Sequence, residues 1–84
     1  MPLVTIYTTR ICPYCSRARN LLKRKGVDFQ EIPVDHDPEQ RAIMVRRSQR
    51  HTVPQIFIDD FHVGGYDDMA RLDRCGELDG RLGR

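Results

Sequence analysis

Two cysteines separated by two residues, Cys12-Pro13-Tyr14-Cys15, stand between a short β-branched run and a stretch of helical periodicity, and no other feature limits the fold as narrowly. Leu3 to Tyr7 reads as a first strand, leading through Thr8, Thr9 and Arg10 into the pair. From Pro13 to Lys25, Ala18, Leu21 and Leu22 recur at helical spacing. Pro13 suits the first turn, and Gly26 suits the left-handed position past the end. The helix therefore begins at the cysteines.

That placement carries chemistry. The unpaired N–H groups and the positive end of a helix favour a thiolate, so Cys12 is the expected nucleophile. Cys15 lies one turn further in, near enough to attack a mixed disulfide on Cys12 and more shielded from water, which makes it the resolving thiol. Arg10 and Arg17 add positive potential nearby. The alternatives are half of a zinc site or two core cysteines. Neither a second C-x-x-C nor a spaced Cys/His pair completes four ligands, and His36, His51 and His62 are scattered, so no metal is expected. With three cysteines, an odd number, the count argues against a secreted disulfide framework and for redox or metal chemistry in a reducing compartment.

Downstream, Phe29 to Val34 reads as a strand that Pro33 confines to a sheet edge. Asp37 caps a second helix with Pro38 in its first turn and Gln40 as a capping-box partner, and Ala42 to Val45 supply its buried side. Gln55 to Ile58 and Phe61 to Val63 read as a hairpin across Asp59-Asp60, ended by Gly64-Gly65. Met69, Leu72 and Cys75 are spaced by three on a last helix, which predicts a buried core thiol at Cys75. The order gives a mixed α/β sheet whose first two strands are parallel through a right-handed crossover.

At 84 residues the chain has room for a single domain, 1–84. Its composition, 39% hydrophobic and 31% charged, contains no long apolar run and no leader, so a soluble cytoplasmic protein without membrane association is expected. Fourteen basic residues against 12 acidic give a net +2, too little for a nucleic-acid binder in a chain that also lacks an RNA motif and a stacking array of aromatics. The basic residues Arg17, Arg19, Lys23, Arg24 and Lys25 read as the wet face of the first helix. His51 reads as a solvated loop histidine.

Two weaker signals remain. In Thr52-Val53-Pro54 the proline removes a ladder donor, and a cis Val53-Pro54 bond would free the Val53 backbone to pair with an extended peptide; an ordinary edge-strand proline explains it equally well. Gly64-Gly65-Tyr66-Asp67-Asp68 places flexible backbone at a helix N-terminus, where carboxylates bind, though a plain turn has the same appearance. Tyr14, between two reactive cysteines, reads as a ligand-facing ring.

Taken together, Cys12-Pro13-Tyr14-Cys15, Thr52-Val53-Pro54 and Gly64-Gly65-Tyr66-Asp67-Asp68 resemble the glutaredoxin family, in particular its dithiol bacterial type. The resemblance covers nearly the whole chain. It implies a thioredoxin fold, a four-stranded mixed sheet flanked by three helices, and glutathione-dependent reduction of protein disulfides and glutathione mixed disulfides. It also implies glutathione as reductant, and disulfide-containing or glutathionylated proteins, ribonucleotide reductase among them, as partners; a monomer is expected by default. Glutathione contacts carry over onto Tyr14, Val53, Tyr66 and Asp67, with Thr52 and Pro54 shaping the loop. Arg41 on the second helix stands where the family often has a polar or basic residue for the glycyl carboxylate. In one departure, Thr9 replaces the lysine common three residues before the first cysteine, which leaves Arg10 as the nearest cation.

Three other functions compete. A donor fed by a thioredoxin reductase would not need the anion-binding turn or Arg41. A carrier of a glutathione-ligated iron-sulfur cluster is disfavoured by Pro13, where cluster carriers of the family usually differ. An adaptor using the basic helix faces would show no thiol activity.

Overall fold

The computed structural model describes residues 2–83. Strand β1 (Val4–Thr8) is buried along its whole length, and helix α1 (Pro13–Arg24) follows it after a short loop. Next come β2 (Gln30–Pro33), α2 (Pro38–Ser48), the hairpin β3 (Gln55–Ile58) and β4 (Phe61–Gly64), α3 (Tyr66–Arg74) and a four-residue helix α4 (Leu78–Arg81). The sheet runs β2-β1-β3-β4. β1 is parallel to β2 and antiparallel to β3, and β3 is antiparallel to β4. Pro33 therefore sits on an edge strand, where its missing N–H costs no ladder bond.

Each face of the sheet is covered by its own cluster. Ile6, Leu22, Ile56 and Met69 belong to the larger one, joined by Leu78 and Leu82 from the chain's last turns. Tyr7, Val34, Met44 and Phe57 form the smaller one beneath α2. Full burial of such an apolar side chain is worth about 1.5–3 kcal/mol, so these two layers are the main source of stability.

Local signals explain the helix ends. Asp37 Oδ1 accepts from the Gln40 N–H at 3.1 Å, the forward half of the expected box. Gly26 takes φ 71° after α1, as its position predicts. Lys25 is not simply solvated: its ammonium lies 2.6 Å from Asp73 and 3.0 Å from Asp79, tying the end of α1 to α3 and α4. These carboxylates raise its pKa, Asp73 most strongly.

Several expectations need correction. Cys75 is an exposed free thiol rather than a core residue, because α3 stops at Arg74 and Cys75 follows as its C-cap. On α2, Met44 and Ser48 are buried while Ala42 is exposed, so the covered side is narrower and lies further along than Ala42 to Val45. The fourth helix was not anticipated; Leu78 and Leu82, both buried, hold it against the larger cluster. Among the described residues no helix is long and apolar enough to cross a membrane.

Candidate active site

Three segments distant in sequence converge near the N-terminus of α1. The first is the cysteine pair. Cys12 is the N-cap of α1, with extended backbone, and its Sγ accepts from the Cys15 N–H at 3.1 Å. A disulfide joins the two residues across a Cα separation of 5.2 Å. Their surroundings differ sharply: Cys15 is 0% exposed, whereas Cys12 is partly open to solvent. The backbone thus presents one sulfur at the surface, beside the helix N–H groups, and packs the other behind it.

The second segment is the loop before β3. Val53-Pro54 is a cis peptide, and the Val53 carbonyl oxygen lies 4.0 Å from Cys12 Sγ. Below it Gln55, fully buried, donates from Nε2 to the Thr52 carbonyl at 3.0 Å and to Thr52 Oγ1 at 3.3 Å. The third segment is the Gly64-Gly65 turn into α3. Gly64 has φ 111°, and a Cβ there would meet Asp68 Cγ at 2.8 Å, so glycine is required both by the backbone and by the carboxylate packed against it. Asp68 Oδ2 accepts from the Gly65 N–H at 2.9 Å, closing the first turn of α3.

Between these segments lies an open cleft of about 220 Å³. Tyr14 lines one side, Thr52, Val53 and Pro54 the floor, and Gly65, Tyr66, Asp67 and Asp68 the far wall, with Arg50 at the margin. Tyr14 is 52% exposed. Its ring is 6.4 Å from that of Tyr66, and the Arg17 guanidinium is 5.2 Å above it. Of the residues singled out from the sequence, Tyr14, Thr52, Val53, Pro54, Tyr66 and Asp67 all line this cleft, whereas Cys12 does not line it but has its Sγ 4.0 Å from the carbonyl oxygen of the lining residue Val53. Arg41 does not line the cleft; its Nη1 donates to the His51 carbonyl at 3.5 Å. His51 itself is exposed.

Arg50 is not singled out in the sequence, and Asp68 reads there only as part of the glycine turn, without its partner. Arg50 Nη1 is 2.9 Å from Asp68 Oδ2. The Gly65 N–H and then the Arg50 guanidinium hold the Asp68 carboxyl below its ordinary range. In the sequence Arg50 is one of several arginines around the end of α2, and only the fold brings it across to α3. Arg10, the expected source of positive potential, is turned elsewhere: its Nε is 3.4 Å from Asp35 and its Nη2 is 3.0 Å from His36 Nε2. The Asp35 carboxyl is held below its ordinary range, chiefly by the Arg10 backbone N–H.

Comparison with known proteins agrees with this geometry. The family model described as Glutaredoxin matches residues 4–63. The chain is 58% identical to a Pseudomonas aeruginosa protein named Glutaredoxin, over 98% of both chains. To Glutaredoxin 3 of Escherichia coli K12 it is 56% identical, over 94% of this chain and 95% of that protein. Among solved structures it resembles a buckwheat glutaredoxin-glutathione complex with a TM-score of 0.89 at 28% identity, covering 98% of this chain and 77% of that one.

Proposed function

Because the chain belongs to the glutaredoxin family of thiol-disulfide oxidoreductases, we propose that it works with glutathione, reducing protein disulfides and glutathionylated thiols through Cys12 with Cys15 as the resolving thiol. One observation carries the reading: Cys12 Sγ caps α1 at the surface, 4.0 Å from a carbonyl of the loop that floors the cleft, while Cys15 is sealed behind it.

In the reduced protein, the Cys12 thiolate attacks the glutathione sulfur of a mixed disulfide. A Cys12-glutathione disulfide forms and the substrate leaves as its thiol. A free glutathione thiolate then attacks the sulfur of the bound glutathione, releasing glutathione disulfide and returning the Cys12 thiolate, so one disulfide is broken, one is formed, and one free glutathione is consumed per substrate thiol released. With a protein disulfide, the Cys12 thiolate joins one sulfur as the S–S bond breaks and the other leaves as a thiol, and Cys15 then attacks Cys12 Sγ and displaces the first sulfur as the second thiol. The product is the Cys12-Cys15 disulfide, which two glutathiones reduce in turn.

Chemistry at the cleft fits the tripeptide. The first N–H groups of α3 at Tyr66 and Asp67 suit its γ-glutamyl carboxylate, the Asp67 carboxylate suits its ammonium, and the Val53 backbone suits its cysteinyl unit. Its second carboxylate requires a cation. Arg50 lines the cleft and Arg41 does not, so Arg50 takes that role more directly. A donor fed by a reductase would have no use for such a wall of anion-binding groups. The three-cysteine composition suits the reducing cytoplasm.

Cys15→Ser tests the division of labour. It is expected to retain reduction of a glutathionylated peptide and to lose dithiol reduction of a protein disulfide, whereas Cys12→Ser loses both. Loss of both activities in Cys15→Ser would contradict the scheme.

A further inference from the structure

The loop beneath the cleft is held by a short polar relay from the outer strand of the hairpin. Gln55 Nε2 donates to the Thr52 carbonyl, which can only accept, so the amide orientation is fixed with Oε1 facing the other way. That oxygen is 2.7 Å from His62 Nε2 on β4. His62 Nε2 must therefore carry a proton and donate. The imidazole is stacked on Phe57, with ring centroids 4.9 Å apart, and Phe57 also carries the Arg47 guanidinium 3.9 Å from its centroid. Burial first, then the nearby Arg50 and Arg47 charges against the opposing pull of Asp68, keep the His62 pKa below its ordinary value. The lowered pKa favours the neutral ring, and the Gln55 oxygen selects its Nε2–H tautomer.

We propose that His62, acting through Gln55, is a positioning residue that sets the register of Thr52 and Val53 beside Cys12 and so tunes affinity for the glutathionyl group. Neither side chain lines the cleft. Gln55 is fully buried, so an acceptor left without its donor would be costly, and the amide would turn to find one. Turning withdraws its Nε2 from Thr52, and the Val53 backbone loses the support that aligns it with an incoming cysteinyl unit. Rates of the thiolate itself are set elsewhere, by the N-terminus of α1.

This inference rests on the glutathione reading, and the test separates the two. His62→Phe keeps a stacked ring but removes the donor; His62→Gln restores a donor. Gln55→Met, which preserves buried volume, is a second loss variant. With a glutathionylated peptide, KM is expected to rise about five- to tenfold in His62→Phe and Gln55→Met, with kcat within about twofold and His62→Gln near wild type, as loss of one hydrogen bond implies. In parallel, backbone 15N order parameters at Thr52 and Val53 are expected to fall in the loss variants and to recover in His62→Gln. Unchanged KM in an active, folded His62→Phe, or a His62→Gln as impaired as His62→Phe, would overturn the proposal. If the wild type itself shows no glutathione-dependent turnover, the functional reading falls, and the order parameters decide the positioning role by themselves: loss in His62→Phe sustains it and no change refutes it.

Discussion

Asp68 shows how much a single side chain does at this site. Its carboxylate closes the first turn of α3 on Gly65, pairs with Arg50 across the cleft margin and fills the space that Gly64 leaves open. The Gly65 N–H, and after it Arg50, depress its pKa from the ordinary 3.8. A depressed carboxyl stabilises the fold while it is ionised, so the contribution is present above pH 3.8 and is lost as pH falls below that value toward the folded pKa. Asp68→Asn should therefore lower stability by about 1 kcal/mol at pH 7, measured by urea unfolding, and the gap to wild type should shrink below pH 4. An equal gap at pH 7 and pH 3 would mean that the charge contributes nothing. From sequence, Asp67 and Asp68 are indistinguishable acids at a helix start. Only the turn geometry aims Asp68 back at Gly65 and leaves Asp67 on the open wall.

At the scale of elements, the helices that announce their ends were legible and those that do not were misjudged. Pro13 with Gly26 marked α1, and Asp37 with Pro38 marked the start of α2. Spacing by three placed Met69 correctly in the core, yet it failed for Cys75, since the rule holds only while the helix continues and α3 ends one residue earlier. The single turn of α4 is too short for periodicity to reveal and includes Gly80, a poor helix former. α2 ends without glycine: Gln49 adopts φ 58°, a left-handed conformation that strains any residue with a Cβ. Gln49→Gly is expected to raise stability by about 0.5–1 kcal/mol, seen as a higher urea midpoint at unchanged slope. A lower midpoint would show that the Gln49 Nε2 bond to the Arg46 carbonyl, 2.9 Å long, outweighs the strain.

Over the whole molecule, the parallel β1-β2 pair and the antiparallel hairpin follow from the order of strands and helices, and they bring residues 12–15, 52–54 and 64–68 to one end of the sheet. The chemistry-bearing segments could be read because each has a local signature: cysteines at a strand-helix junction, a proline before an apolar strand, paired glycines before acids. What stayed hidden depends on contacts between them. Arg50 reaches Asp68 over 18 positions and Arg10 turns to Asp35 over 25, and no local pattern encodes such choices among the many arginines. Exchange of electrons between this dithiol and glutathione can be measured by equilibrating the protein in buffers of defined reduced-to-oxidised glutathione ratio and following the Cys12-Cys15 couple. A potential of roughly −200 to −230 mV, within reach of the glutathione pool, is the predicted result. A value near roughly −270 mV or below, with no glutathione-dependent turnover, would contradict the account and point to a donor reduced by a reductase.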